Sequence, residues 1–425
     1  MIGVQQAGDV ECKQVLLVDG KNSNTSYNLI GMFVDLTIYE DIFSPILTGY
    51  IALIESQNLI QTLPIVGGEE YLVIDFVTPS LDTHISKTFV ITGVGLREHG
   101  DKKNSYVLEF ISYEGFIDLN TRYAETFTGN TSTLLNQVFT KSFNSAITNS
   151  DTSNNNIKFV SPYWGALKVC NYITSHATTA NSKILTPDYL FWQTCQSHNF
   201  KSLSNLWSQT PIQDYVFDKD TLRVDIGDGK TVRNIDREYK SVLKLKFVEH
   251  QDYMKNMING AYNHHTFSAN LFNKNFNRRD YNILNDFGKT SHASKYPLMS
   301  QKANISQTSG LHSIKHTMSN LFDGVSDIND EIIAKRVSIL AQLETFKLNI
   351  DVHGRTDIQT GQVINFWLNP FKTLDESDKF NPINFDTLYS GKYLITALAH
   401  RFTMVKHQIT MQVVKDSSYT AVVSQ

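Results

Sequence analysis

Thirteen histidines, three cysteines and 42 acidic side chains could supply metal ligands and general acids or bases, so spacing decides whether any of them act together. His312 and His316 stand four apart, which on a helix would put both on one face. No carboxylate lies within that turn to complete a metal site, so surface or interface histidines are the plainer reading. His264 and His265 are adjacent, and on a strand they point to opposite faces. No HExxH zinc motif and no GxSxG nucleophile elbow occurs. Cys12, Cys170 and Cys195 form no CxxC pair and read as free thiols of a chain made in a reducing cytoplasm. Gly229-Lys230-Thr231 and Gly288-Lys289-Thr290 look like phosphate-loop ends, but the required first glycines are Val224 and Ile283. Asp286-Phe287-Gly288 copies a kinase metal triplet without the loops that precede one. Acidic pairs such as Glu69-Glu70 read as a solvated rim beside a turn rather than a glycosidase couple. The expectation is therefore no catalytic residue, no cofactor-binding residue, no metal site, no cofactor, and no enzyme.

The elements around these residues are mostly strands. Met32, Val34, Leu36 and Ile38 alternate with Phe33, Asp35, Thr37 and Tyr39, and the same period recurs at Tyr71–Thr78, Thr88–Leu96 and Tyr106–Ser112. Asn58–Thr62 is long enough for one helical turn. After Glu114 the period changes: Thr133–Phe143 carries a helical stripe, Asn149–Asn156 reads as an exposed polar loop, and Pro162 opens a helix with Ala166, Cys170, Ile173 and Ala177 on one face. A second helix is expected after Pro187, through Leu190, Phe191 and Cys195. Strands return at Tyr215–Phe217, Leu222–Ile226 and Leu243–Phe247. Asp252–Ser326, rich in Asn, His and Ser, follows neither period and reads as an irregular excursion over a neighbouring domain or subunit. A helix at Asn329–Leu343 precedes strands at Phe346–Val352, Gln362–Leu368, Lys392–Phe402 and Gln408–Val414.

The expected fold class is α+β, mainly β: two antiparallel tube-like β-barrels, an inserted helical domain and a long irregular excursion. The divisions are 1–114 for the first barrel, 115–210 for the helical insert, 211–250 with 328–416 for a discontinuous second barrel, 251–327 for the excursion, and 417–425 for a polar tail. No direct sequence repeat is visible between the two β units.

Composition narrows the class. With 38 basic against 42 acidic residues the net charge is −4, which disfavours a general nucleic-acid binder. Hydrophobic residues at 41% and charged residues at 19% give packed cores rather than disorder. Nothing approaches the run of about 18 apolar residues a membrane helix needs, and the first residues lack the basic and apolar regions of a secretory signal. Twenty-five Phe and 19 Tyr suit either two cores or a broad protein–protein interface.

Several segments, in order along nearly the whole chain, resemble the baseplate central hub subunit of contractile-tailed, T4-like bacteriophages. Phe43-Ser44-Pro45-Ile46-Leu47-Thr48-Gly49-Tyr50, Leu63–Glu70 and Tyr71–Ile74 are similar to its opening barrel. Tyr189-Leu190-Phe191 with Asn199-Phe200-Lys201-Ser202-Leu203 and Leu206 is similar to a segment of its helical block, with Lys201 where an arginine is usual. Gly260-Ala261-Tyr262 resembles the turn before its central excursion. His353-Gly354, Thr360-Gly361-Gln362-Val363, Ser390–Thr396 and His400 match its second barrel, with Gln362 where an acidic residue is common.

The resemblance implies a homotrimer in which two tube-like barrels per chain make a ring of six. Such a ring adapts a sixfold tail tube to a threefold cell-puncturing spike, an architecture shared with the injection spikes of type VI secretion systems. It further implies a late-expressed structural protein of the virion tail baseplate, assembled in the host bacterial cytoplasm. Its partners would be the spike below, tail-tube or tube-initiator proteins above and baseplate wedge proteins outside. DNA would pass only in transit through the lumen during genome ejection, and there would be no stable membrane insertion. The rival readings are a peripheral receptor-binding tail component and a virion-associated cell-wall hydrolase.

Overall fold

The computed structural model describes residues 6–21, 25–57, 59–63, 65, 67–100, 103–179, 186–217, 223–225, 231–250, 252–270, 274–298, 311–317, 328–369 and 385–419. It is mainly β and mainly antiparallel. Strict alternation is the cause in the best-formed strands. Phe346, Leu348, Ile350 and Val352 are buried, while Lys347, Asn349, Asp351 and His353 are only half covered.

Thirteen strands form one sheet. The first seven are β1 (Glu11–Asp19), β2 (Ser26–Asn28), β3 (Phe33–Asp41), β4 (Thr48–Glu55), β5 (Glu70–Val77), β6 (His84–His99) and β7 (Asn104–Ser112). The other six are β8 (Asp214–Phe217), β9 (Val242–His250), β10 (Phe346–His353), β11 (Val363–Leu368), β12 (Gly391–Phe402) and β13 (His407–Val414). The spatial order is β9-β10-β13-β12-β3-β4-β7-β6-β5-β1-β2, and β11 lies between β12 and β8.

With β2 set aside, each half has six strands joined in the same order. Path β3-β4-β7-β6-β5-β1 visits its strands by chain rank as second, third, sixth, fifth, fourth and first, and so does β9-β10-β13-β12-β11-β8. One pairing differs: β1 meets β5 antiparallel, whereas β8 meets β11 parallel. The fifth strand also carries a matched irregularity. β6 is bulged against β7 between Ile91 and Gly93, and β12 against β13 between Ile395 and Ala397. The sequences there are Val90-Ile91-Thr92-Gly93-Val94-Gly95 and Leu394-Ile395-Thr396-Ala397-Leu398-Ala399. In each half a glycine N–H from the turn before the fourth strand donates to the isoleucine carbonyl, Gly68 to Ile91 (2.6 Å) and Gly361 to Ile395 (2.9 Å). The strand order therefore repeats, while the two runs share only Ile91 with Ile395 and Thr92 with Thr396, too little for a direct sequence repeat.

Between the halves, helix α1 (Thr131–Phe143) is capped by Asn130, whose side chain accepts from Ser132 N, and stopped by Asn144 in the left-handed conformation. Helix α2 (Ala166–His176) begins at Gly165, and the carboxylate of Asp118 accepts from Leu167 N at 2.7 Å. Helix α3 (Ile328–Gln342) anchors to this region through Arg336, which donates to the carbonyls of Pro187 (3.2 Å) and Tyr189 (3.0 Å).

Several expectations need correction. The segment read as a second helix is strand Tyr189–Gln193, paired with His198–Ser202. All five of its residues are buried, and a strand buried on both faces shows no period to tell it from a buried helix. The 115–210 block is thus mixed in type, with a further pair Thr126–Asn130 and Asn156–Val160. The Asn149–Asn156 loop is not simply exposed. Ser153 is buried, and its Oγ meets Thr131 Oγ1 (2.6 Å) and Ser132 N (2.8 Å).

The stretch read as irregular holds a sheet. Asn263–Asn270 pairs antiparallel with Asn275–Asn282 and parallel with Leu311–Thr317. Its buried residues include His264, His265, Thr266 and Ser268, a polar set that hydrophobic periodicity cannot register. Ser417 and Ser418, expected in a tail, are buried and pair with Tyr296–Pro297. The strand expected at Leu222–Ile226 is described at Arg223–Asp225.

Lys415 precedes this last pairing. It is 2% exposed, its amine donates to Leu388 O, and it lies 4.7 Å from the Phe346 ring centroid and 5.3 Å from that of Tyr393. Burial pushes its pKa down to about 7. The folded chain thus favours the neutral amine more than the unfolded chain does. Stability should be flat below pH 7 and rise by up to about 1.4 kcal/mol per pH unit from there towards the unfolded value. Denaturant midpoints at pH 7 and pH 9 check this, and Lys415→Met should lose the slope.

Candidate functional site

The two strand sets meet along β12, which divides its outer edge between them. Gly391–Leu394 pairs with β11 of its own set. Ala397–Phe402 pairs with Asp41–Leu36 of β3 in the other set. The bulge at Ile395–Ala397 marks the handover, and Thr396 O there accepts from Ile42 N at 2.9 Å. Phe402 belongs by sequence to the second set but packs in the first core, stacked on Phe76 with centroids 4.3 Å apart. The seam is a shared core, not a linker.

A polar knot lies in this seam. Glu40 on β3 is 2% exposed. Its carboxylate accepts from Cys195 N (2.6 Å), Thr360 N (2.9 Å) and Thr360 Oγ1 (3.2 Å). His400 on β12 turns Nε2 toward Glu40 Oε1 at 3.8 Å, and its Nδ1 lies 3.0 Å from His407 Nε2. Burial raises the pKa of the Glu40 carboxyl, against the pull of the Thr360 and Cys195 donors. Burial also raises the Cys195 thiol, with Glu40 adding to the effect, and pushes His400 down to about 3. The imidazole is therefore neutral at physiological pH. Glu40, Cys195 and His400 are 155 and 205 residues apart, so only topology unites them. Of the three, Cys195 reads from sequence as a free thiol and His400 as part of the hub-like pattern, while Glu40 carries no such signal.

A second cluster has the outline of a nucleophile–base–acid chain. Thr290 Oγ1 lies 2.8 Å from His292 Nε2, and His292 Nδ1 lies 2.7 Å from Asp416 Oδ2. Its surroundings give it a holding role instead. His292 Nε2 is also 3.0 Å from Phe287 O, and the ring stacks on Phe287 at 3.8 Å. Asp416 further accepts from Ala293 N and Ser417 Oγ. The adjoining cavity, of about 30 Å³, is lined by Asp188, Trp207, His292 and Asp416.

The residues weighed from sequence fall elsewhere. His312 and His316 lie on strand Leu311–Thr317, not a helix, so their backbone positions are about 13 Å apart rather than one helical turn. His264 and His265 lie on Asn263–Asn270, and His265 Nδ1 is 2.7 Å from Asp280 Oδ1. Gly288-Lys289-Thr290 belongs to a short turn of helix and its end. Gly229-Lys230 lies outside the described residues. Glu69 pairs with Lys21 on the surface, but Glu70 is 3% exposed and accepts from Gly67 N at 3.1 Å, so only half of that pair is a solvated rim.

No family model and no curated protein matches this sequence. The fold is similar to that of the tail protein from Neisseria meningitidis MC58, with 10% identity, TM-score 0.54, and 95% of this chain and 96% of that one covered. It is also similar to the 43 kDa tail protein of prophage MuSo2 from Shewanella oneidensis, with 9% identity, TM-score 0.55, and 95% and 99% covered. A looser likeness, TM-score 0.44 at 7% identity, is to an E. coli component of the type VI secretion system, covering 96% of this chain and 77% of that one. The two solved structures above a TM-score of 0.5 are thus both tail proteins, one of them from a prophage. Among the described residues, no helix is long and apolar enough to cross a membrane.

Proposed function

We propose that this chain is the structural hub of a phage tail baseplate, a homotrimer whose two β units per chain present six similar modules around a lumen. The observation that carries the reading is the repeated strand order, with its matched bulge and glycine bond, fused into one sheet through β12. Each set curls into a tube-like barrel. Three chains then offer threefold symmetry to a spike and near-sixfold symmetry to a tail tube, and the mismatch is absorbed within the chain.

The internal seam supplies the rule for the ring. Within the chain, the second half of the fifth strand (β12) pairs with the second strand of the other set (β3). The corresponding half of β6, Gly93–His99, pairs with β7 on one side only, because its pairing with β5 ends at Val90, opposite Tyr71. The strand corresponding to β3 is β9, which ends the sheet. Both edges are unpaired among the described strands, and unpaired edges seek partners. Repeating the seam between chains joins β6 of one copy to β9 of the next, a heterologous contact that closes after three copies.

The spike would bind below this ring, tube or tube-initiator proteins above and wedge proteins outside, with DNA passing through in transit. The chain would act in the virion tail after assembly in the host cytoplasm, with no catalytic step of its own. Light scattering on the purified chain, alone and with its spike, should give a trimer. A monomer in both conditions would contradict the reading.

A further inference from the structure

The geometry points to a buried binding site for one zinc-class divalent cation at Glu40, Cys195 and His400, where the ion would pin the seam between the two strand sets. A carboxylate oxygen, a thiol sulfur and an imidazole nitrogen from these residues all lie within 4.8 Å of one another. Tetrahedral zinc holds such atoms roughly 3.3–3.8 Å apart, so closing the cluster requires a contraction of at most about 1.5 Å. The three side chains are 2%, 3% and 0% exposed.

Two independent observations indicate an ion. First, His400 Nε2 is fully buried, faces Glu40 at 3.8 Å and has no hydrogen-bond partner among the described residues. A buried polar nitrogen without a partner is costly, and coordination would satisfy it. Its other nitrogen is already placed for this role. The 3.0 Å contact between His400 Nδ1 and His407 Nε2 admits the tautomer in which Nδ1–H donates and the Nε2 lone pair faces the cluster, as a metal-bound histidine needs.

The second observation is the charge balance. Glu40 has N–H donors at this site, but no Lys or Arg forms an ion pair with it among the described residues. A divalent cation with one carboxylate, one thiolate and one neutral imidazole makes a site of zero net charge, which a dry interior tolerates. Binding breaks the Cys195 S–H bond and forms a sulfur–metal bond. The proton leaves to solvent, and no electron is transferred. Thiolate with imidazole and carboxylate selects zinc over magnesium or calcium, which favour all-oxygen shells.

Such an ion would tie β3, β12 and the turn after Tyr189–Gln193 at a single point. The position is particular to the internal seam. The β6 residue that corresponds to His400 is Leu96, so the seam between copies would have no such ion.

The test uses the full-length chain, purified and desalted after growth with zinc, with metal measured by plasma mass spectrometry. The expected content is about one zinc per chain, falling at least about tenfold in Cys195→Ser and in His400→Gln. Cobalt(II) added to zinc-stripped wild-type protein should give thiolate-to-cobalt charge-transfer absorption, and added to Cys195→Ser it should give none. Because the cobalt reading is made on the wild type, it stands even if a variant fails to fold. Wild-type protein with less than about a tenth of an equivalent of zinc and no charge-transfer band would overturn the proposal. So would full zinc content in both variants.

Discussion

Phe247→Asp should leave the purified chain monomeric at concentrations where the wild type is a trimer, and Leu96→Asp should do the same from the opposite edge. Leu96 is 83% exposed on β6, so Leu96→Asp should leave the unfolding midpoint unchanged, whereas Phe247, 46% exposed on β9, packs edge-on against Tyr389 at 4.8 Å and its loss should lower the midpoint modestly. Leu243 and Val248 are exposed beside Phe247, and Val94 near Leu96, so each free edge carries apolar side chains as well as unpaired backbone groups. If β6 of one copy joins β9 of the next, each variant buries a carboxylate in an apolar contact. A penalty of about 3 kcal/mol per contact is roughly a hundredfold weaker association. The internal seam stays intact because it uses β12 and β3. Sedimentation velocity on the two single variants reads this directly. Trimers persisting in both would place the subunit contact elsewhere.

Gly361→Ala should be the most destabilising single methyl addition at the turn before β11. Gly361 has φ +84, a conformation that suits glycine, and a Cβ there would sit 2.4 Å from Cζ2 of Trp192. Trp192 is 1% exposed and packed in the cluster with Val363, Leu394 and Val414, so it cannot retreat. The same turn aims Gly361 N–H at Ile395 O beside the bulge, so a shift there loosens the handover in β12. Backbone strain of about 1 kcal/mol added to overpacking of roughly 1–3 kcal/mol gives a total of about 2–4 kcal/mol. Gly31 supplies the control. It has φ +91, but nothing lies within 4 Å of the position its Cβ would take. Gly31→Ala should therefore cost only the backbone share, about 1 kcal/mol. Chemical denaturation of the two variants separates the contributions, and equal losses would show that Trp192 yields.

The strands were legible wherever one face is buried and the other wet, as in Phe346–His353, because alternation of two kinds of residue is then a direct record of the sheet. Tyr189–Gln193 was illegible for the opposite reason, since both faces are covered and no contrast remains. Polarity concealed the Asn263–Asn270 sheet: its interior uses His, Thr and Ser, which leave no apolar period to read. The internal repeat escaped because the second set is interrupted between β9 and β10 by residues 251–345, and its clearest sign is one short run around Thr92 and Thr396. Glu40, Cys195 and His400 could not have been joined from sequence. Nothing local links positions 40, 195 and 400, and their meeting depends on β12 crossing from one set to the other.

The central claim is that the repeat within one chain lets three copies stand in for six. Electron cryo-microscopy of the assembly purified with its spike tests it most directly. The expected map shows three chains around an open lumen, six barrels at one radius, and alternating seams, β12 with β3 inside a chain and β6 with β9 between chains. A ring with only three barrels at the lumen, or a second set folded back against the outside, would contradict it.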